Sequence, residues 1–349
     1  MSSSITSQSP SPSSVAECAG AGSAGPPYTL GIVGCGTMGI AILSGILASS
    51  KAFAAAALLQ SQVQSQSVSQ SGSGADFANE ALSESVADLL GEEEGEEEEE
   101  ERRRKRMELK YLPGTFYACV ARQESARRLK SVFAKEEGEG SVRVVAGDNV
   151  LAAQRCDVVL LACKPHMVAD ILREEGMRDA LKGKLVISIC AGLRIQQIAH
   201  SLHPTSTVVR AMPNTPSKIR EGMTVLTPLP SLSSSSSSSS TSHAHSRSRS
   251  RLLSIFNAIG KCRFLDEKHF DAATALAGSG PAFACVFLEA MADGGVMMGL
   301  PRKEALELAA QSMQGAARMV LQSGAHPASI KDSVTTAAEH AAGLGQVKK

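Results

Sequence analysis

The chain has 349 residues, of which 43% are hydrophobic and only 3% aromatic, and its 35 Lys and Arg balance 35 Asp and Glu. A formal net charge of zero removes the electrostatic case for nucleic acid or an anionic membrane surface as a partner. The eight cysteines form no C-x-x-C pair, so the sequence suggests neither a disulfide framework nor a metal site, and a reducing compartment fits.

Residues 1–26 are mostly Ser, Pro, Gly and Ala and read as a disordered leader. The first basic residue is Lys51, so the start lacks the charged region of a signal peptide and the arginines of a transit peptide. No apolar run reaches membrane-spanning length, and the expected location is cytoplasmic.

Order begins with the short apolar run Leu30 to Val33, which reads as a buried strand. It meets Gly34, Gly36 and Gly39 in the spacing G-x-G-x-x-G, and the apolar stretch Ile40 to Leu47 then starts a helix. Strand, glycine turn and helix together form the context of a dinucleotide site. Gly34 permits the tight turn, Gly36 lets a pyrophosphate approach the backbone, and Gly39 lets helix and strand pack closely. The helix N-terminus adds free N–H groups and the positive end of its dipole.

A low-complexity insertion follows over about 51–110, with an acidic run from Gly91 to Glu101 and a basic run from Arg102 to Arg106. The two runs read as a solvated loop of paired charge blocks. Thr115 to Val120 is the second strand. An NAD-preferring site places an acid at its end, to bind the ribose 2′-hydroxyl. Here Arg122 follows instead, a partner for a 2′-phosphate, which favours NADP(H) and leaves NAD(H) as the alternative.

Further strands are expected at 141–145, 157–163, 184–190 and 207–212, each a continuous apolar run ending in polar or Gly/Pro-rich sequence. Asn149 begins a helix between the third and fourth. Such runs, alternating with helices, specify a mostly parallel sheet covered on both faces, with ligands outside the carboxyl ends of the strands. Asn214, past one strand end, faces the nicotinamide or caps its turn. A second insertion, serine-rich and then Ser-Arg-rich, spans 229–251. Leu252 to Ile259 resumes as helix, and Cys262 to Leu265 is a short final strand.

From His269 the pattern is helical only. Ser279 is placed to cap one helix, with Pro281 in its first turn. Phe283, Val286, Phe287, Ala290 and Met291 share a face of it. Pro301 to Gln322 and a stretch from Ala328 form two more helices. Small residues on them suit an intertwined dimer, or else a self-contained bundle.

On these residues the sequence resembles the Δ1-pyrroline-5-carboxylate reductase family. The resemblance rests on the Gly34–Gly39 turn with Met38, Ala162 to His166, Arg210 to Pro216 with Glu221 and Gly222, and above all the segment from Ala277 to Asp332. It covers nearly all of the ordered chain. It implies an α/β fold with an N-terminal Rossmann-like dinucleotide-binding domain over 27–265, interrupted by the two insertions. An all-helical C-terminal substrate and dimerisation domain covers 266–349. The implied activity is reduction of the cyclic imine to L-proline by hydride from NADPH or NADH, the last step of proline synthesis, in a homodimer or larger homo-oligomer. It assigns Val33, Gly34, Cys35, Gly36, Thr37, Met38, Gly39, Asn149, Ala162, Cys163, Lys164, Pro165, Cys190, Ala191 and Gly192 to the cofactor, to which the strand-end reading adds Arg122. Lys164 reads as structural or electrostatic beside the cofactor, and His166, His326 and His340 as non-catalytic.

The sequence departs from the family in one place. After Lys331 and Asp332 the family continues into a Ser/Thr-Pro-Gly-Gly-x-Thr turn that binds the substrate carboxylate, and then another helix. This chain continues Ser333, Val334, Thr335, Thr336 and then an Ala-rich stretch, so Thr335 and Thr336 are the nearby candidates and the domain reads as truncated. A mis-spliced or mis-predicted 3′ end is the favoured account, ahead of an inactive paralogue or a different substrate loop. As written, the sequence predicts weak or absent activity and an impaired dimer. A non-catalytic NADP-binding protein is the alternative.

Overall fold

The computed structural model describes residues 28–69, 111–134, 142–230 and 239–344. The proposed leader, the acidic and basic runs and most of the serine run lie outside the described residues. Eight strands form one sheet in the order β3-β2-β1-β4-β5-β6-β7-β8. They are β1 (Thr29–Val33), β2 (Thr115–Val120), β3 (Val142–Ala146), β4 (Val158–Leu161), β5 (Leu185–Ser188), β6 (Thr207–Met212), β7 (Gly222–Leu226) and β8 (Gly260–Phe264). The first six run parallel in the doubly wound order, β7 is antiparallel to β6, and β8 is parallel to β7.

Helices cover both faces. In chain order they are α1 (Thr37–Ser69), α2 (Gln123–Val132), α3 (Asn149–Arg155), α4 (Pro165–Arg173), α5 (Met177–Ala180), α6 (Ile195–Ala199) and α7 (Ser239–Asn257). Strand alternation divides the core. Leu30, Ile32, Phe116, Ala118, Leu160 and Ile187 pack with Ile42, Leu43, Leu129 and Phe256, from α1, α2 and α7. Val33, Tyr117, Cys119, Val159, Leu161 and Val186 pack with Ala152, Val168 and Ile171, from α3 and α4. Each fully buried Leu or Ile contributes about 1.5–3 kcal/mol, so both layers are needed to hold the strand ends in register.

Three local expectations are corrected. Helix α1 continues to Ser69, past the expected start of the first insertion at residue 51, because Lys51 to Leu59 is alanine-rich and helix-favouring. Helix α7 begins at Ser239, inside the second insertion, where Arg249 stacks over Phe264 at 5.2 Å and Arg251 over Tyr28 at 4.3 Å. Tertiary contacts thus recruit a stretch whose composition reads as loop. β7 was not anticipated; it is five residues long, and Pro213 and Pro216 precede it closely.

The C-terminal part holds α8 (Phe270–Ala273), a π-helical turn (Thr274–Gly278), α9 (Gly280–Met297), α10 (Arg302–Ser323) and α11 (Pro327–Leu344). Helices α9 and α10 pack through small residues. A Cβ on Gly295 would stand 3.1 Å from that of Ala305, and Ala292, Ala305 and Ala309 are buried. The outer face is bare: Phe283, Val286, Phe287 and Met291 are all exposed, Phe287 by 68%. The expectation that no run reaches membrane-spanning length also changes. Glu267–Met297 is helical throughout, and among the described residues it alone is long and apolar enough to cross a membrane.

Candidate active site

In a doubly wound sheet the ligand crevice opens where strand order reverses, between β1 and β4. Val33 stands opposite both Cys119 and Leu161 there. Gly34 turns the chain with φ +80°, in the left-handed region. The N–H groups of Gly34 and Cys35 both donate to the Cys119 carbonyl, at 3.0 and 2.8 Å. The first helical bond of α1 runs from the Ile40 N–H to the Gly36 carbonyl at 2.8 Å. The N–H groups of Thr37, Met38 and Gly39 lie ahead of it, at the positive end of the helix dipole.

The three glycines differ in what surrounds them. A Cβ on Gly34 would fall 2.5 Å from the Cys163 Cα, so β1 and β4 leave no room for one. On Gly39 it would meet the Ile32 Cγ2 at 3.1 Å, at the strand–helix contact. On Gly36 it would find nothing nearer than the Gly34 carbonyl at 3.8 Å, and Gly36 and Thr37 are exposed. Gly36 therefore presents bare backbone to the crevice, a surface that suits a pyrophosphate and that a side chain would fill.

The other assigned residues fall into two groups. Exposed along the same sheet edge are Arg122, after β2; Lys164 and Pro165, starting α4; and Ala191 and Gly192, after β5. Ala162 and Cys163 are half-buried there, the Ala162 N–H donating to the Val33 carbonyl at 2.8 Å. Val33, Cys35 and Cys190 instead form the floor: all three are buried, and burial pushes the Cys35 thiol up to about 12. Asn149 starts α3 as expected, but its side-chain amide donates to the Glu174 carboxylate at 2.9 Å. That bond ties α3 to the end of α4.

Asn214 stands at the N-cap of the short helical turn Thr215–Ile219, but its side chain makes no cap bond there. Buried, it donates to the Ala277 carbonyl at 3.0 Å and accepts from the Met223 N–H at 2.9 Å. Both ends of its amide are used, and they join β6, β7 and the π-helical turn. Ser279 sits at the N-cap of α9 with Pro281 in the first turn, yet its side chain makes no cap bond. It is in helical backbone, and its N–H instead closes the π turn onto the Thr274 carbonyl at 3.0 Å. Thr335 and Thr336 are exposed on α11, their hydroxyls donating to the Lys331 and Asp332 carbonyls at 3.0 and 2.9 Å. They are helix-surface groups here, not members of a turn, and the structure does not gather them with the glycine loop.

Comparison with known proteins matches two family models, pyrroline-5-carboxylate reductase dimerisation over residues 267–343 and coenzyme F420-dependent NADP oxidoreductase over 113–192. A pyrroline-5-carboxylate reductase from Lophium arboricola is 42% identical over 323 residues, spanning 89% of this chain and 83% of the relative. The chain belongs to the pyrroline-5-carboxylate reductase family. Solved members share its fold. The Coxiella burnetii reductase superposes with a TM-score of 0.58 at 23% identity, covering 91% of each chain. The Plasmodium falciparum pyrroline carboxylate reductase with NADP bound gives 0.53 at 22%, covering 88% of this chain and 84% of that one.

Within this reductase the sequence reading missed one buried ion pair. Arg210 lies in β6, its side chain 9% exposed, and pairs with Glu267 at 3.4 Å while stacking over Phe270 at 4.7 Å. Glu267 also accepts the Ile195 N–H at 2.9 Å. One carboxylate thus ties the sheet and the start of α6 to the first turn of the reductase's helical part. The signal was present in the sequence: a cation inside the apolar strand Thr207–Met212 requires a partner when buried.

Proposed function

We propose that this chain reduces Δ1-pyrroline-5-carboxylate to L-proline with NADP(H) as hydride donor, the closing step of proline biosynthesis. The observation that carries the reading is 42% identity to a pyrroline-5-carboxylate reductase over 83% of that relative's length, joined to the intact glycine turn between β1 and β4. Bound NADPH supplies a hydride to the imine carbon. The chain's own groups bind and orient. The first-turn N–H groups of α1 and the bare backbone of Gly36 hold the pyrophosphate. Arg122 pairs with the 2′-phosphate, which favours NADP(H) over NAD(H). Ala162 to Pro165 and Cys190 to Gly192 wall the nicotinamide side, Cys190 from beneath. The exposed apolar face of α9 closes against a second copy of the chain, which also accounts for the membrane-length helix without lipid. That assembly is a homodimer or a larger homo-oligomer, and the enzyme is cytoplasmic.

The test is NADPH oxidation by the purified chain with pyrroline-5-carboxylate, followed by proline detection. Weak turnover is the expected result, with proline formed in stoichiometry to the NADPH consumed, because Ser333 to Thr336 stand where the family's substrate turn is expected. Tight NADPH binding without proline would instead support a non-catalytic dinucleotide-binding protein. That second reading draws on Thr335 and Thr336, whose hydroxyls are tied back to their own helix.

A further inference from the structure

We infer that Cys163 and Cys190 form a redox-sensitive dithiol site in the floor of the crevice, and that closing it to a disulfide weakens dinucleotide binding. Strands β4 and β5 pair in parallel with Leu161 opposite Ser188. Two residues further on, past both strand ends, the chains are still adjacent, since the Cys190 thiol reaches the Cys163 carbonyl. Neighbouring strands lie about 4.8 Å apart, inside the Cα separation of about 4.4–6.8 Å that a disulfide spans. The Cys190 thiol lies over the β4 backbone, donating to the Cys163 carbonyl at 3.2 Å and the Leu161 carbonyl at 3.5 Å. The two thiols act on each other: contact with Cys190 pushes the Cys163 thiol up, and contact with Cys163 holds the Cys190 thiol down.

This pair differs from the other cysteines in and beside the sheet. Cys35, Cys119, Cys156 and, in β8, Cys262 are all buried, out of reach of a solute in the crevice. Cys163 is half-buried at the crevice edge, with Cys190 directly beneath it. A peroxide entering the crevice reaches the pair at the half-buried Cys163 edge. The Cys190 sulfur, whose thiol the Cys163 contact holds below its ordinary value, attacks one peroxide oxygen and breaks the O–O bond, giving a sulfenic acid while the displaced hydroxide takes the thiol proton as water. The Cys163 sulfur then displaces the sulfenic hydroxyl. The S–S bond forms, a second water leaves with the Cys163 proton, and two electrons have passed from the sulfur pair to the peroxide. A thiol reductant reverses the step by exchange.

Coupling to the cofactor follows from contact. Gly34 and the Cys163 backbone are packed so closely that a Cβ on Gly34 would overlap the Cys163 Cα at 2.5 Å. Drawing the Cys163 sulfur onto Cys190 moves the wall on which the glycine turn rests. This part of the inference depends on the cofactor site proposed above. Linkage then requires the reverse effect: bound NADPH disfavours the disulfide by the same factor.

The experiment uses the full chain, treated with hydrogen peroxide or with dithiothreitol and digested under non-reducing conditions. A Cys163–Cys190 cross-linked peptide, two hydrogens lighter than the sum of its parts, is expected in the oxidised sample only. The NADPH Kd is expected to rise about 10-fold on oxidation, to return on reduction, and saturating NADPH should slow cross-linking. Cys190→Ser and Cys163→Ser should each abolish the difference between treated and untreated protein. If neither variant folds, one equivalent of phenylarsine oxide bridging the wild-type pair replaces them. Absence of the cross-linked peptide overturns the dithiol site, and an unchanged Kd despite cross-linking overturns the coupling. If reduced protein binds no NADPH, the cofactor reading and the coupling fail together, while the peptide map still decides the dithiol.

Discussion

Gly34 and Gly36 stand two residues apart in one turn, and their surroundings give opposite expectations for the same substitution. Gly36→Ala adds a methyl group that meets no atom within 3.8 Å and needs no left-handed backbone. By itself it should cost the fold nothing, and the lost unfolded-chain entropy stabilises by about 0.4–1 kcal/mol. That methyl occupies the surface over which a pyrophosphate approaches the first-turn N–H groups. Losing one charge-assisted hydrogen bond there costs about 1.5–3 kcal/mol, or at least 10-fold in NADPH Kd. Gly34→Ala is the converse. It puts a side chain at φ +80° and drives its Cβ to within 2.5 Å of the Cys163 Cα. Left-handed strain of about 1–2 kcal/mol and overpacking of about 1–3 kcal/mol predict a loss of roughly 2–5 kcal/mol in stability. Thermal unfolding with and without NADPH, beside a fluorescence titration of the cofactor, separates the two. A Gly36→Ala protein with wild-type Kd, or a Gly34→Ala protein with wild-type melting, would refute the assignment of this turn to the pyrophosphate.

Four further outcomes are expected. Arg122→Ala should raise the KM for NADPH about 10-fold and leave that for NADH nearly unchanged, measured by paired steady-state kinetics. Arg210→Met removes a guanidinium that is 9% exposed from Glu267, whose side chain is 31% exposed. Since Glu267 still reaches water, the cost in urea unfolding should be about 2–4 kcal/mol, with part recovered in the double variant Arg210→Met/Glu267→Gln. Burial pushes the Cys35 and Cys119 thiols up to about 12, so the folded chain keeps protons that the unfolded chain releases from about pH 8.5. Their stabilisation is complete below that pH and is lost as pH rises toward 12, by up to about 1.4 kcal/mol per pH unit for each thiol, and Cys119→Ala should flatten that fall in urea titrations. Phe287→Glu, on the exposed face of α9, should shift the light-scattering mass to that of a monomer.

What the sequence made legible is what covalent geometry or burial dictates locally. Gly34 and Gly39 could be read in advance because a tight turn and a strand–helix contact each exclude a side chain, whereas at Gly36 the fold leaves room for one. The parallel strands were readable because β1, β4 and β5 are apolar on both faces, which only a doubly covered sheet allows. Leu252 to Asn257 of helix α7 was expected, but its first part, Ser239 to Arg251, was hidden for the opposite reason. Serine and arginine carry little intrinsic signal, and the contacts of Arg251 with Tyr28 and of the Ser254 hydroxyl with the Tyr111 carbonyl at 2.8 Å join residues more than a hundred positions apart. Ser279 was misread because its position fits a cap, whereas its backbone is already committed to the π turn.

The division matters most at Asn214 and Arg210. Both lie in the Arg210–Pro216 stretch that carries part of the family resemblance, and a motif at a strand end invites a catalytic reading. The structure uses both to join parts of the fold: Asn214 closes β6 and β7 onto the Ala277 carbonyl, and Arg210 reaches Glu267 and Phe270. A polar residue in a functional motif therefore has two separable jobs, touching the ligand or holding the element that does. Only the hydrogen-bond partners distinguish them. Here every polar atom of the Asn214 amide side chain that could face a nicotinamide has a bond to backbone, so its substitution should first loosen the joint between sheet and helices. Any loss of turnover would follow from that loosening, and would appear together with a lower melting temperature.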